Sequence, residues 1–188
     1  MNAIAPQLSD ADIDNVAAYF NSLAVMETSD LSETAQGLAE NKITFPDDYQ
    51  DTFTLYSKVS QAGPKRVRHN YGNEAALQAL DDQGMLADGA FIVTEIYSAK
   101  LDDSGNPVTG DDGHFVADKL VALAVMEKRH GYGDAIPEIL RNGDWIYAIF
   151  SPEKERRPFN HAACLACHKP LHDADYLFSY QDFVDRAK

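Results

Sequence analysis

Both cysteines of the chain stand in one five-residue string, Cys164-Leu165-Ala166-Cys167-His168. The string constrains the fold more than any other feature, because C-x-x-C-H is the attachment sequence for a c-type haem. Two thiols three residues apart lie on one turn of helix and can add to the two vinyl groups along one side of a haem. The next residue, His168, then falls beneath the iron and offers a neutral imidazole as axial ligand. Three other uses of the pair compete. A structural zinc site takes four protein ligands, and the chain holds no second cysteine pair. A thioredoxin-type pair belongs near an early strand-to-helix junction of a βαβ unit. Here the pair lies about twenty residues from the end of the sequence, with no βαβ pattern around it. The third is a coincidental pair of buried thiols, against which stands a full motif that leaves no stray cysteine. The expectation is one covalently attached haem c, held by Cys164, Cys167 and His168, with His168 as iron ligand.

At 188 residues the chain can bury a core and suggests one domain with an extra element. Its 45% hydrophobic content, with nine Phe and nine Tyr, fits a globular protein and not a disordered one. A formal charge of −14 argues against nucleic acid and anionic membrane as partners, and is compatible with a basic redox partner protein. No stretch is long and apolar enough to span a bilayer. Haem c is attached outside the cytoplasm in bacteria, so a periplasmic or otherwise exported protein is expected. Residues 1–20 nevertheless carry Asp10, Asp12 and Asp14, without a basic or apolar leader region. Either a signal has been removed, or the chain is a piece of a longer exported protein.

Residues 8–23 read as a helix, with Ser9 as N-cap, Asp10 and Asp12 at the positive end of its dipole, and Ile13, Val16, Ala17, Phe20 and Leu23 as an apolar stripe. Residues 24–42 read as a linker with a short helix over Ser32–Glu40, and Pro46-Asp47-Asp48 as a turn. Beyond it, Arg66–Tyr71 reads as a strand and Asn73 as the cap of a short helix, Glu74–Leu80. Asp88-Gly89 turns into a β-rich stretch, Ala90–Leu101, followed by a long polar hairpin loop, Asp102–Gly113. Phe115–Lys128 is a second long strand, although Leu120–Met126 is also compatible with helix. Trp145–Ser151 is a third, before the charged loop Pro152–Pro158 and the haem-bearing turn Asn160–Lys169. The expected class is α+β: an antiparallel sheet with peripheral helices, a C-terminal haem-binding turn and an N-terminal helix.

Two resemblances add to this reading. Residues 1–23, with Leu-Ser-Asp-x-Asp-Ile leading into Ala-Ala-Tyr-Phe, resemble the C-terminal helix of a small class I cytochrome c, in which an axial methionine precedes the helix where Met1 stands. The rest of such a domain is missing, so the segment is read as a remnant, 24–42 as the linker, and 43–188 as the haem domain. From about Ile43 to Phe183 the chain resembles the cytochrome P-460 family, which includes the cytochrome c′-beta proteins. The carrying pieces are Phe45–Tyr49, Arg68 and Tyr71, Asp88–Glu95, Asn142–Trp145, and Cys164–His168 followed by Asp175–Phe178. The resemblance implies a sheet-based haem pocket, often in a homodimer, with a five-coordinate iron bound by His168. Hydroxylamine-oxidising members add a bond from a lysine on the Asp-Gly strand to the macrocycle. Thr94 stands at that position and cannot make the bond. This moves the reading towards c′-beta-like members, which lack the link and bind diatomic gases.

Strand alternation puts Ala90, Ile92, Thr94, Ile96 and Ser98 on one face, and Phe91, Val93, Glu95 and Tyr97 on the other. The resemblance turns the Thr94 face to the haem, although a threonine also suits a strand simply because it is β-branched. On the second long strand Leu120, Ala122, Ala124, Met126 and Lys128 share a face. Met126 is either a sixth iron ligand or core filling, and Lys128 either enters the distal pocket or ends the strand in water. Arg68, beside Arg66 on one strand face, is a distal donor to a water, an oxyanion or a haem propionate, or else marks an exposed basic edge strand. His69, His114, His130, His161 and His172 read as surface or structural. Three functions stay open. One is a gas-binding or redox-active haem protein with an open sixth site. Another is a plain electron carrier whose sixth site is closed by Met126, Met85 or a second histidine. The last is an enzyme oxidising hydroxylamine or a related small nitrogen compound, with Arg68, Thr94 and Lys128 as distal candidates.

Overall fold

The computed structural model describes residues 43–158 and 160–186. The helices expected over 8–23 and 32–40, and with them the cytochrome-like remnant and the linker, lie outside the described residues. A short helix α1 (Tyr49–Thr52) precedes strands β1 (Thr54–Gln61), β2 (Arg66–Gly72), β3 (Phe91–Ala99), β4 (Ala117–Lys128) and β5 (Trp145–Phe150). Helix α2 (His161–His168), a 3-10 segment (Lys169–Ala174) and helix α3 (Tyr180–Arg186) follow. The five strands pair antiparallel in chain order, β1-β2-β3-β4-β5. The α+β class and antiparallel sheet are as expected.

Several elements differ from the sequence reading. Strand β1 was not anticipated: T-L-Y-S-K-V-S-Q is polar, and a register shift between Leu55 and Ser57 breaks its alternation. The helix expected over Glu74–Leu80 is a single 3-10 turn, Ala75–Leu77. Asn73 explains this, since its Oδ1 accepts from both Ala76 N (2.9 Å) and Phe91 N (3.0 Å), tying the turn to the start of β3. Because β1 covers its outer side, β2 is not an edge strand, and Arg66 and Arg68 are not edge residues. Leu120 pairs with Tyr97 across a register shift, so it departs from the face of Ala122, Ala124 and Met126.

Register divides the sheet into two unlike faces. Val67, Val93, Glu95, Leu123, Val125, Ile146 and Ala148 alternate onto one, and all are buried. Ile43, Phe45 and α1 cover this face: Phe45 packs edge-on against Phe150, and Tyr49 against Tyr71. Each large apolar side chain buried here contributes about 1.5–3 kcal/mol of transfer free energy. Glu95 lies at the centre, 1% exposed, and accepts from Tyr49 Oη (2.7 Å), Gln50 Nε2 (3.2 Å) and Tyr97 Oη (3.0 Å). Those donors satisfy a carboxylate that would otherwise be costly to bury.

The other face carries Arg68, Asn70, Ile92, Thr94, Ile96, Ala122, Ala124, Met126, Lys128, Trp145, Tyr147 and Ile149. Its middle differs from that of the first: Arg68, Thr94, Ile96, Ala124, Met126 and Ile149 are only half-buried. The C-terminal segment packs along its margins. Tyr147 meets His168 near β5, while Tyr56 of β1 stacks on Phe183 of α3 and hydrogen-bonds Ser179 at 2.8 Å.

Candidate haem site

Helix α2 starts at Asn160, whose side chain accepts from Ala162 N at 3.0 Å, and is bound to β5 along its length. His161 Nε2 accepts the Tyr147 backbone N–H at 3.1 Å. Leu165 is fully buried, and its carbonyl accepts from Asn142 Nδ2 (3.0 Å), which also reaches Tyr147 Oη (3.1 Å). Cys164 is half-buried and Cys167 exposed, both as free thiols. Burial, and next the neighbouring Cys167, push the Cys164 thiol up to about 11.

His168 closes the helix, held by one hydrogen bond and two aromatic neighbours. Its Nδ1 lies 2.6 Å from the Tyr176 carbonyl oxygen. A carbonyl can only accept, so Nδ1 carries the proton and Nε2 keeps its lone pair for a metal. Tyr147 and Phe178 flank the ring at centroid distances of 4.5 and 4.9 Å. Burial draws its pKa below the ordinary imidazole value, the Tyr176 hydrogen bond opposes this, and the Arg68 charge adds to it. The neutral imidazole that iron requires is thereby favoured.

The accepting carbonyl sits in an unusual turn. Asp175 and Tyr176 are consecutive left-handed residues, with φ of 44° and 60°, a conformation that is costly for a tyrosine. Asp175 is 1% exposed, and three segments converge on its carboxylate. Trp145 Nε1 donates at 3.0 Å, Leu86 N at 2.8 Å, and Lys128 Nζ to both oxygens at 3.1 and 2.9 Å. Lys128 also donates to the Leu86 carbonyl at 3.0 Å.

Lys128 therefore does not end its strand in water; its ammonium is held by Asp175. Met126 packs against the core and pairs in register with Tyr147, the residue that stacks on His168. The Thr94 hydroxyl donates to Asn70 Oδ1 at 2.8 Å. Arg68 shares the face of Thr94, and, after burial, its charge is one of the causes that lower the His168 pKa. Its Nε is buried without a hydrogen-bond partner. Among the histidines, His161 is structural, His69 lies 3.6 Å from Glu95 on the opposite face, and His130 and His172 are exposed.

Sequence reasoning missed Asn70, Tyr147 and the supporting role of Asp175. Asn70 was readable, since it continues the alternation of Arg66 and Arg68. Asp175 belongs to a quoted motif piece, but an irregular turn gives no periodic signal of what its carboxylate would gather.

These residues fit a haem. Two thiols on one helical turn adjoin an imidazole with a free Nε2, and the adjacent sheet face is half-exposed and mainly apolar. Phe178, beside the imidazole, is 64% exposed, as expected of an aromatic wall for a flat apolar group. The sequence profile of cytochrome P460 matches residues 46–179. The chain belongs to the cytochrome P460 family and is thus a haem-binding cytochrome. No curated protein matches it. Among the described residues, no helix is long and apolar enough to cross a membrane.

Proposed function

We propose that this chain is an exported c-type haem protein whose single haem is joined to Cys164 and Cys167, ligated by His168, and open on its distal side to a neutral diatomic gas. The observation that carries this reading is the 2.6 Å hydrogen bond from His168 Nδ1 to the Tyr176 carbonyl, which leaves Nε2 as the ligating atom. When bound, the haem supplies a redox-active iron and a coordination position for a small ligand.

The protein's own residues provide the rest. Tyr147 and Phe178 fix the imidazole plane. Ile92, Ile96 and Ala124 form an apolar wall, which disfavours an uncompensated anion. Arg68 brings an unpaired N–H to the half-buried face and donates to a bound ligand or to a propionate. Met126 pairs in register with Tyr147 and packs against the core, which supports a packing role over that of a sixth ligand. Thr94 replaces the linking lysine, Lys128 is engaged by Asp175, and Lys100 and Lys119 are exposed. These placements favour a haem without a lysine link, and hence gas binding over hydroxylamine oxidation.

Stopped-flow mixing of the ferrous protein with CO tests the reading. The observed rate should rise linearly with CO, and hydroxylamine should not be turned over. A rate that plateaus would indicate prior loss of an internal ligand and favour an electron carrier. Steady hydroxylamine turnover would establish the enzyme reading instead.

A further inference from the structure

We propose that Lys128 and Asp175 are positioning residues for the axial imidazole, acting through the left-handed turn at Asp175-Tyr176. The proposal rests on His168 being the iron ligand and deepens that reading. The chain of contacts is continuous. Lys128 at the end of β4 and Trp145 at the start of β5 are register partners. Both donate to Asp175, as does the Leu86 backbone N–H from the loop before β3. The Lys128 ammonium also lies 5.7 Å from the Trp145 ring centroid and binds the Leu86 carbonyl. Three separate segments thus grip one carboxylate. The next residue, Tyr176, is held at φ 60°, and its carbonyl accepts the hydrogen bond from His168 Nδ1.

Two properties make this more than general packing. A left-handed tyrosine is intrinsically unfavourable and persists only where its surroundings over-determine it. Without the Asp175 anchor, the turn would relax towards ordinary φ and withdraw the carbonyl from Nδ1. That hydrogen bond also sets how strongly Nε2 donates electrons, because an imidazole that shares its Nδ1 proton is the more basic ligand. A strong donor favours ferric over ferrous iron. Lys128 and Asp175 would therefore govern a redox property of an iron that neither touches.

The two explanations for a Lys128 effect differ in sign. As a bare positive charge, Lys128 favours the ferrous state, so its removal would lower the midpoint potential. As the anchor of the turn, its removal weakens the His168 hydrogen bond and raises the potential. The test uses the haem-loaded protein with Lys128→Met, Lys128→Arg and Asp175→Asn. Potentials come from redox titration, and the iron–histidine stretching band from resonance Raman spectra of the ferrous state. Lys128→Met should raise the potential and lower the stretching frequency, while Lys128→Arg should stay close to wild type in both. Asp175→Asn should lower the frequency too, and the double variant Lys128→Met/Asp175→Asn should lower it no further than the larger single change. A lowered potential in Lys128→Met with an unmoved band would overturn the proposal and leave a through-space charge effect. So would an unmoved band in Asp175→Asn, which decides the matter if Lys128→Met fails to fold. A wild-type protein with six-coordinate iron would sink the open-site reading instead, and the sign of the potential shift would still decide this one.

Discussion

Arg68 Nε is a buried donor with no partner, and an unmet donor of this kind costs about 1–3 kcal/mol. In the haem-free chain the guanidinium is a local liability, made more so because burial pulls its pKa down. On the proposed function, the same atom would gain an acceptor from a bound ligand or a haem propionate. Arg68→Met should therefore leave the haem-free chain as stable as wild type or slightly more so. It should also raise the CO dissociation rate of the ferrous protein by about tenfold, the equivalent of one hydrogen bond at about 1.4 kcal/mol. Thermal unfolding and ligand-replacement kinetics read the two effects separately. If Arg68 binds only a propionate, the dissociation rate would stay unchanged while haem-loaded stability fell.

At the scale of elements, α2 is docked by few groups. Leu165 inserts into the core, Asn142 binds its carbonyl, and His161 replaces a strand as acceptor for the Tyr147 N–H. Leu165→Ala should cost about 2–5 kcal/mol, the range for deleting a fully buried leucine. In denaturant titrations of the haem-free chain, that loss should appear as a lower midpoint. A loss below about 1 kcal/mol would mean that α2 is held mainly by its flanking turns. The legibility of the elements followed the same physics. Strands β2 to β4 carry alternation because their two faces meet different surroundings, whereas β5 reads as a short apolar run buried on both faces. Strand β1 was not readable, since its polar sequence and bulge erase the period. The attachment motif was readable as local chemistry, and Arg68 through its alternation with Arg66. The Asp175 node was not, because Leu86, Lys128, Trp145 and Asp175 are distant in sequence and meet only through the tertiary fold.

For the molecule as a whole, the haem domain should stand without the segment ahead of it. Ile43 and Phe45 belong to the core, and Arg156 binds the Ile43 carbonyl, so the described residues from Ile43 onward already supply a cover for the sheet. A chain starting at Leu31 should keep its haem and an unaltered ferric and ferrous spectrum. Loss of haem or of folding would show that residues 1–30 are integral to the domain.

The strict chain order of the sheet also bears on how the protein is assembled. Each strand pairs with the one made just before it, so the meander can zip up hairpin by hairpin, with little loop-closure entropy to overcome. The thiols follow all five strands, on a helix that docks against β5. On the proposed function, the sheet face would thus be in place before a haem could be joined to those thiols. On the proposed attachment through Cys164 and Cys167, the thioether bonds would act as a late clasp, fastening helix α2 to a sheet that has already found its register.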